Sequence, residues 1–196
     1  MMSQALAYSY DESPKLTYQD YLDIPEDGKR REIIDGRIYM MAAPRQRHQL
    51  ILMRLSSDIY VFLKGRRCRV FPAPFDVRLP LKLENSKTAT NVVQPDITVF
   101  CDPSNLDERG GKGAPDIAVE IISKSSIHMD KLKKFNLYTQ AGVKEYWMVD
   151  GDSGIVEIFI HDGVSYSQRL CFGEGDIITS TVLEGLEIPT ATIFEE

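Results

Sequence analysis

Pro115-Asp116-Ile117-Ala118-Val119-Glu120-Ile121-Ile122-Ser123 is the most apolar strand-like stretch of the chain, and its reading decides the fold. β-Branched residues dominate it, and apolar side chains fall on both faces. That pattern predicts a central strand covered on both sides. Glu120, between Val119 and Ile121, is the anomaly. A carboxylate in such a strand has to be neutralised, paired or bound to a cation, because burying a bare charge costs too much.

Working outward, a second apolar run, Val92-Val93-Gln94-Pro95-Asp96-Ile97-Thr98-Val99-Phe100, carries Asp96 directly after a proline, 120 − 96 = 24 residues before Glu120. If the two strands are neighbours, both carboxylates converge at one edge of a sheet. Two hard oxygen donors with space between them suit Mg²⁺ or Mn²⁺, which bind through one or two carboxylates and keep several waters. The plain alternative is that each acid pairs with an arginine or caps a loop. On the other side of Glu120, residues 126–141 have a helical pattern ending at Gly142, a natural residue for a helix C-terminus. Asp130, Lys134 and Tyr138 share one face of it at i, i+4 and i+8. Lys134 can therefore hang over the Glu120 strand, where a cation could position water or stabilise charge on a phosphate. Spacing alone favours an ordinary Asp130–Lys134 pair.

The flanking sequence predicts an α/β domain. Residues 1–13 are polar and aperiodic and read as a flexible arm before one domain spanning 14–196. Thr17 is a good N-cap for a short helix, and Asp35-Gly36 joins two β-type runs as a hairpin. Residues 46–63 carry a helical apolar stripe. Short strands are expected at 68–71 and 75–79, a Gly-rich loop at 102–113, and strands at 143–149, 155–161 and 164–172. Residues 177–194 read as an irregular or β-rich cap.

Composition narrows the class. The 196 residues are 43% hydrophobic and 27% charged, which excludes a disordered or fibrous chain. Three cysteines without a C-x-x-C support neither a disulfide framework nor a cysteine zinc site, so reduced thiols are expected. No apolar run approaches a membrane span and no secretory leader is visible, so a cytoplasmic protein with no membrane partner is expected. Net charge is −6, yet residues 29–69 hold eleven Lys or Arg against three acids, 11 − 3 = +8. An acidic protein with one basic segment can still offer a face to a polyanion.

An ordered series of residues carries a family resemblance. It runs through Glu32-Ile33-Ile34-Asp35-Gly36-Arg37-Ile38-Tyr39-Met40, Pro44 and His48, then Gln94-Pro95-Asp96. It continues through Val119-Glu120-Ile121-Ile122-Ser123, Asp130, Lys134 and Tyr138, to Ala141-Gly142-Val143-Lys144-Glu145-Tyr146-Trp147. This series resembles the Uma family of restriction-endonuclease-like proteins, over about residues 16–190, and through it the P-D…(D/E)-x-K nuclease superfamily. The resemblance implies a mixed central β-sheet flanked by helices, with extra hairpins and a divalent metal at one end. Asp96 and Glu120 would be the two acids, and the backbone carbonyl of Ile121 the third metal ligand. The lysine slot falls on Ile122, a departure, and Lys134 from the following helix would take its place. Glu32 and His48 match further polar positions, with Asp76 weaker.

The residues allow plainer readings beside these. A lone histidine near a helix start is more often a cap, and Tyr138 and Trp147 fit core residues with polar tips. Asp116 fits the start of the Glu120 strand. The functional expectation is a Mg²⁺- or Mn²⁺-dependent endonuclease acting on DNA, with Asp96, Glu120, Lys134, Glu32 and His48 at its centre. It is expected to work as a two-fold homodimer, the strands at 155–161 and 164–172 packing against a partner or pairing along an edge. The alternatives are a catalytically inactive nuclease-fold binding or assembly module and, more remotely, a small-molecule hydrolase.

Overall fold

The computed structural model describes residues 14–122 and 129–195, except for the side chains of residues 129–131. The expected arm at 1–13, the start of the helix at 126 and the Asp130 side chain lie outside the described residues. Short-range signals produce the first elements. Thr17 caps α1 (Tyr18–Leu22), accepting from the Asp20 amide while the Asp20 carboxylate accepts from the Thr17 amide. β1 (Arg31–Ile34) and β2 (Arg37–Met40) form the expected hairpin. Its turn residues, Asp35 and Gly36, both have positive φ, 51° and 72°, as a two-residue hairpin with strand-matching twist requires.

α2 (Gln46–Leu63) follows as expected, then β3 (Arg69–Pro72) and β4 (Val77–Arg78). The apolar run at 92–100 does not form one strand. Pro95, without an N–H, breaks it into β5 (Val92–Val93) and β6 (Ile97–Phe100), and the two halves join different sheets. The expected loop at 102–113 holds a short 3₁₀ turn (Pro103–Asn105) and a small hairpin, β7 (Leu106–Asp107) and β8 (Gly110–Lys112). β9 (Ile117–Ile122) forms from the most apolar stretch of the chain. α3 (Met129–Ala141) ends at Gly142, φ 77°. β10 (Glu145–Asp150), β11 (Ile155–His161) and β12 (Tyr166–Phe172) come next. The chain closes with β13 (Ile177–Thr179), β14 (Glu187–Pro189) and α4 (Thr190–Phe194).

Two six-stranded mixed sheets result, with orders β12-β11-β10-β9-β6-β3 and β2-β1-β5-β4-β8-β7, plus the β13-β14 pair. β9 is interior, antiparallel to β6 and parallel to β10. Its alternation sorts the core. Ile117, Val119 and Ile121 pack with Ile51, Leu52, Leu55 and Ile59 of α2. Ala118 packs with Leu137 and Tyr138 of α3 and with Val77 and Val93 of the second sheet. The sheet carrying Glu120 is thus covered on both faces.

Two expectations are corrected. Cys68 and Cys101 form a disulfide. They flank the Arg69–Phe100 pair of β3 and β6, a juxtaposition created by strand pairing across 33 residues and invisible in spacing. β11 has both edges occupied, by β10 and β12, so the strand at 155–161 cannot pair with a partner along an edge.

Candidate active site

The β6–β9 ladder ends at the pair Ile97–Val119. One step further along this antiparallel register, 97 − 1 opposes 119 + 1, so Asp96 and Glu120 meet at the end of the ladder. Pro95 sets this position, because the chain leaves the other sheet there. Asp96 Oδ2 accepts from the Ile121 backbone N–H at 2.7 Å and lies 3.1 Å from His48 Nε2. Ile121 thus meets Asp96 through its amide. His48 sits in the first turn of α2 with its Nδ1 buried and unpartnered among the described residues. The bond to Asp96 raises the His48 pKa against the opposing effect of burial.

Glu120 occupies the same face of β9 as Ala118, turned toward α3. Its Oε1 accepts from Lys134 Nζ at 2.9 Å and from Tyr138 OH at 2.7 Å. Lys134 Nζ also donates to Glu32 Oε1 at 2.9 Å, and Glu32 Oε1 accepts the Gln94 backbone N–H at 2.8 Å. Lys134 and Tyr138 stand one helical turn apart, which is why both reach one carboxylate. The pattern of the sequence therefore placed both on the face that meets Glu120, while the Asp130 side chain lies outside the described residues.

Burial raises Glu120 to about 7, and the nearby Asp96 and Glu32 carboxylates push the same way, against Lys134. Burial alone would lower Lys134, yet Glu120 and Glu32 reverse this and hold its pKa above the usual lysine value. The two shifts pull in different senses for one ion pair. The group count reconciles them: Glu120 and Glu32 share one ammonium with the Asp96 carboxylate close by, so Lys134 stays charged and the excess negative charge retains a proton near neutrality.

Gln94 joins the outer groups. Its Oε1 accepts from Arg30 Nε at 2.9 Å and its Nε2 donates to Asp76 Oδ1 at 2.8 Å. Burial raises Asp76. Gln94 is a hub for Glu32, Asp76 and Arg30, and its sequence signal is its place in the Gln94-Pro95-Asp96 piece of the family resemblance. Glu145 is a second buried acid the sequence reading did not single out. It accepts from Trp147 Nε1, Ser180 Oγ and the Thr181 amide and hydroxyl, which makes it structural. Asp116 accepts the Cys101 amide and pairs with Lys144, tying strand ends together away from Glu120.

The basic segment is partly consumed by the fold. Arg47 Nε donates to the Gly151 carbonyl at 2.6 Å, Arg54 bonds the Ile193 and Glu195 carbonyls, and Arg66 lies over the Phe62 ring.

Chemically, Asp96 and Glu120 each commit one oxygen. Asp96 Oδ1 and Glu120 Oε2 have no partner among the described residues. No group of three or more His, Cys, Asp or Glu side chains among those residues is arranged to hold a metal. A pair of carboxylates fits a hard divalent ion that keeps most of its waters, and does not fit a fully protein-caged one. A polar cluster containing one cation, a perturbed acid and two uncommitted oxygens is equipped for acid–base and phosphate chemistry.

Comparison with known proteins agrees with this architecture. The Uma2 family, described as "putative restriction endonuclease", matches residues 18–191. A Synechocystis sp. protein, slr1290, is 28% identical over 148 residues, covering 74% of each chain. A crystal structure from Anabaena variabilis, described as a "putative nuclease belonging to DUF820", superposes with a TM-score of 0.69 at 21% identity. The match covers 91% of this chain and 97% of that one, and at that identity it speaks for the fold.

Proposed function

The chain belongs to the Uma2 family, and on that footing we propose that it is a metal-dependent endonuclease hydrolysing phosphodiester bonds of DNA. The observation that carries this reading is the meeting of Asp96 and Glu120 at one ladder end, with Lys134 bonded to Glu120. Asp96, Glu120 and the Ile121 carbonyl would hold Mg²⁺ or Mn²⁺. Such an ion, when bound, polarises a phosphate oxygen and lowers the pKa of water.

The chain's own groups do the rest. His48 and the Ile121 amide fix Asp96 Oδ2 and leave Oδ1 for the ion. Tyr138 fixes Glu120. Lys134 keeps its ammonium beside the reacting phosphate, where it orients water and offsets charge that develops in the attack. Glu32 and Gln94 anchor Lys134 from the second sheet. A homodimer would supply the second centre that cleavage of both strands requires, with β12 or another edge strand as its seam.

A non-catalytic module is the second reading. The engagement of Lys134 by two carboxylates of the fold favours it. A cleavage assay on plasmid and single-stranded DNA with Mg²⁺ or Mn²⁺, beside Glu120→Gln, separates the two. Metal-dependent products from the wild type, absent from Glu120→Gln, are expected. A wild type that binds metal but cleaves nothing selects the module.

A further inference from the structure

A cavity of about 490 Å³ opens beside this centre and not over it. It lies between the β1–β2 hairpin, the segment around Lys82 and one face of α3. Its charged lining is Lys15, Arg37, Lys82 and Lys133 against Asp35 and Glu84, 4 − 2 = +2, in a chain of net charge −6.

Both acids are already engaged. Asp35 pairs with Lys15. Glu84 accepts the Leu81 amide and the Thr90 hydroxyl. Lys133 stands over the Tyr39 ring at 4.5 Å and donates to its hydroxyl at 2.8 Å. Lys82 is exposed at the rim.

Position ties the cavity to the centre. Tyr39 is the cross-strand partner of Glu32, and Lys133 precedes Lys134 on α3. One helix thus sends successive lysines to the carboxylates and to the cavity, and on one face of the hairpin Glu32 meets Lys134 while its neighbour Tyr39 meets Lys133. A chain of phosphates passing the centre would meet the cavity next.

We propose that this cavity holds the sugar-phosphate backbone of the DNA strand flanking the cleaved bond, with Lys82 and Lys133 as its phosphate contacts. The inference rests on the nuclease reading and adds the path of the strand. Its +2 lining is a place where an acidic protein concentrates favourable charge for a polyanion.

Fluorescence anisotropy of the full chain with labelled single-stranded and duplex oligonucleotides, in EDTA so that nothing is cut, tests it. Lys82→Glu, at an exposed position that leaves the fold intact, and Lys133→Gln should each weaken binding about tenfold at 0.1 M salt. Each should also lower the salt slope by about one unit. Lys112→Glu, an exposed cation on β8 outside the cavity, should change affinity less than about twofold. Cavity variants that bind like the wild type, or no better separated from it than Lys112→Glu, overturn the cavity assignment while leaving the nuclease reading intact. A wild type that binds neither oligonucleotide overturns both.

Discussion

Lys134 Nζ lies 2.9 Å from Glu32 Oε1 and 2.9 Å from Glu120 Oε1, so one ammonium joins strands of two different sheets. All three groups are nearly shielded from water, with side-chain exposures of 9%, 6% and 13%. The arrangement is therefore structural and chemical at once, and its disruption should register in both ways.

Lys134→Met should destabilise the fold by about 3–5 kcal/mol at pH 7, because two carboxylates lose their shared cation inside the protein. Acid should restore part of the loss by protonating them. Urea unfolding at pH 5 and pH 7 measures this. A loss below about 1 kcal/mol at pH 7 would show that the bridge contributes no more than a surface pair does. DNA cleavage by the same variant should be abolished, with Mn²⁺ affinity roughly retained.

Stability should fall as pH rises from about 5 to 7. Glu120 holds its proton more tightly folded than unfolded, from 4.5 up to about 7. Its contribution is therefore complete below 4.5 and lost through about 7, an effect on the order of 3 kcal/mol. His48, also raised, acts in the same sense above its ordinary value of 6.5. Glu120→Gln should flatten the lower part of the profile. An unchanged slope in that variant would assign the titration elsewhere.

Mn²⁺ affinity, read by calorimetry, should rise with pH through the same range, since the ion competes with the proton on Glu120. Asp96→Asn and Glu120→Gln should each reduce it at least about tenfold. Undiminished binding in either variant would remove that residue from the ligand set.

Glu145→Ala should be among the most damaging single substitutions, at about 3 kcal/mol or more. It leaves the Trp147, Ser180 and Thr181 donors without an acceptor in the interior. Thermal unfolding checks it, and a shift under a few degrees would contradict the account.

Reduction of Cys68–Cys101, or Cys68→Ser, should cost about 2–4 kcal/mol, the range for closing a loop of this length. Denaturation with and without reductant reads the difference directly.

Much of what the sequence disclosed was local. Thr17, Asp35-Gly36 and Gly142 each carry their conformation in a few neighbouring residues, and they formed the cap, turn and helix end expected of them. The near-continuous apolar run Ile117–Ile122 was enough to mark a covered strand and to make Glu120 conspicuous. Hidden features depended on partners far along the chain. Nothing local places Glu32, 102 residues away, within reach of Lys134. Glu145 looked ordinary because its donors arrive from residues 180 and 181. Cys68 and Cys101 looked unrelated until β3 and β6 paired. The break at Pro95 was visible as a residue but not as a change of sheet.

That break governs when the centre comes into being. Val92–Phe100 contributes one half to each sheet, with Gln94 and Asp96 at the crossing. Neither sheet alone contains Glu32, Asp96 and Glu120 together. A chain with only the β6–β9 sheet formed would bring Asp96 and Glu120 together but leave Lys134 without Glu32 and the Gln94 amide that holds it. The position of the ammonium, and with it the charge balance of the centre, would then depend on the docking of the two sheets.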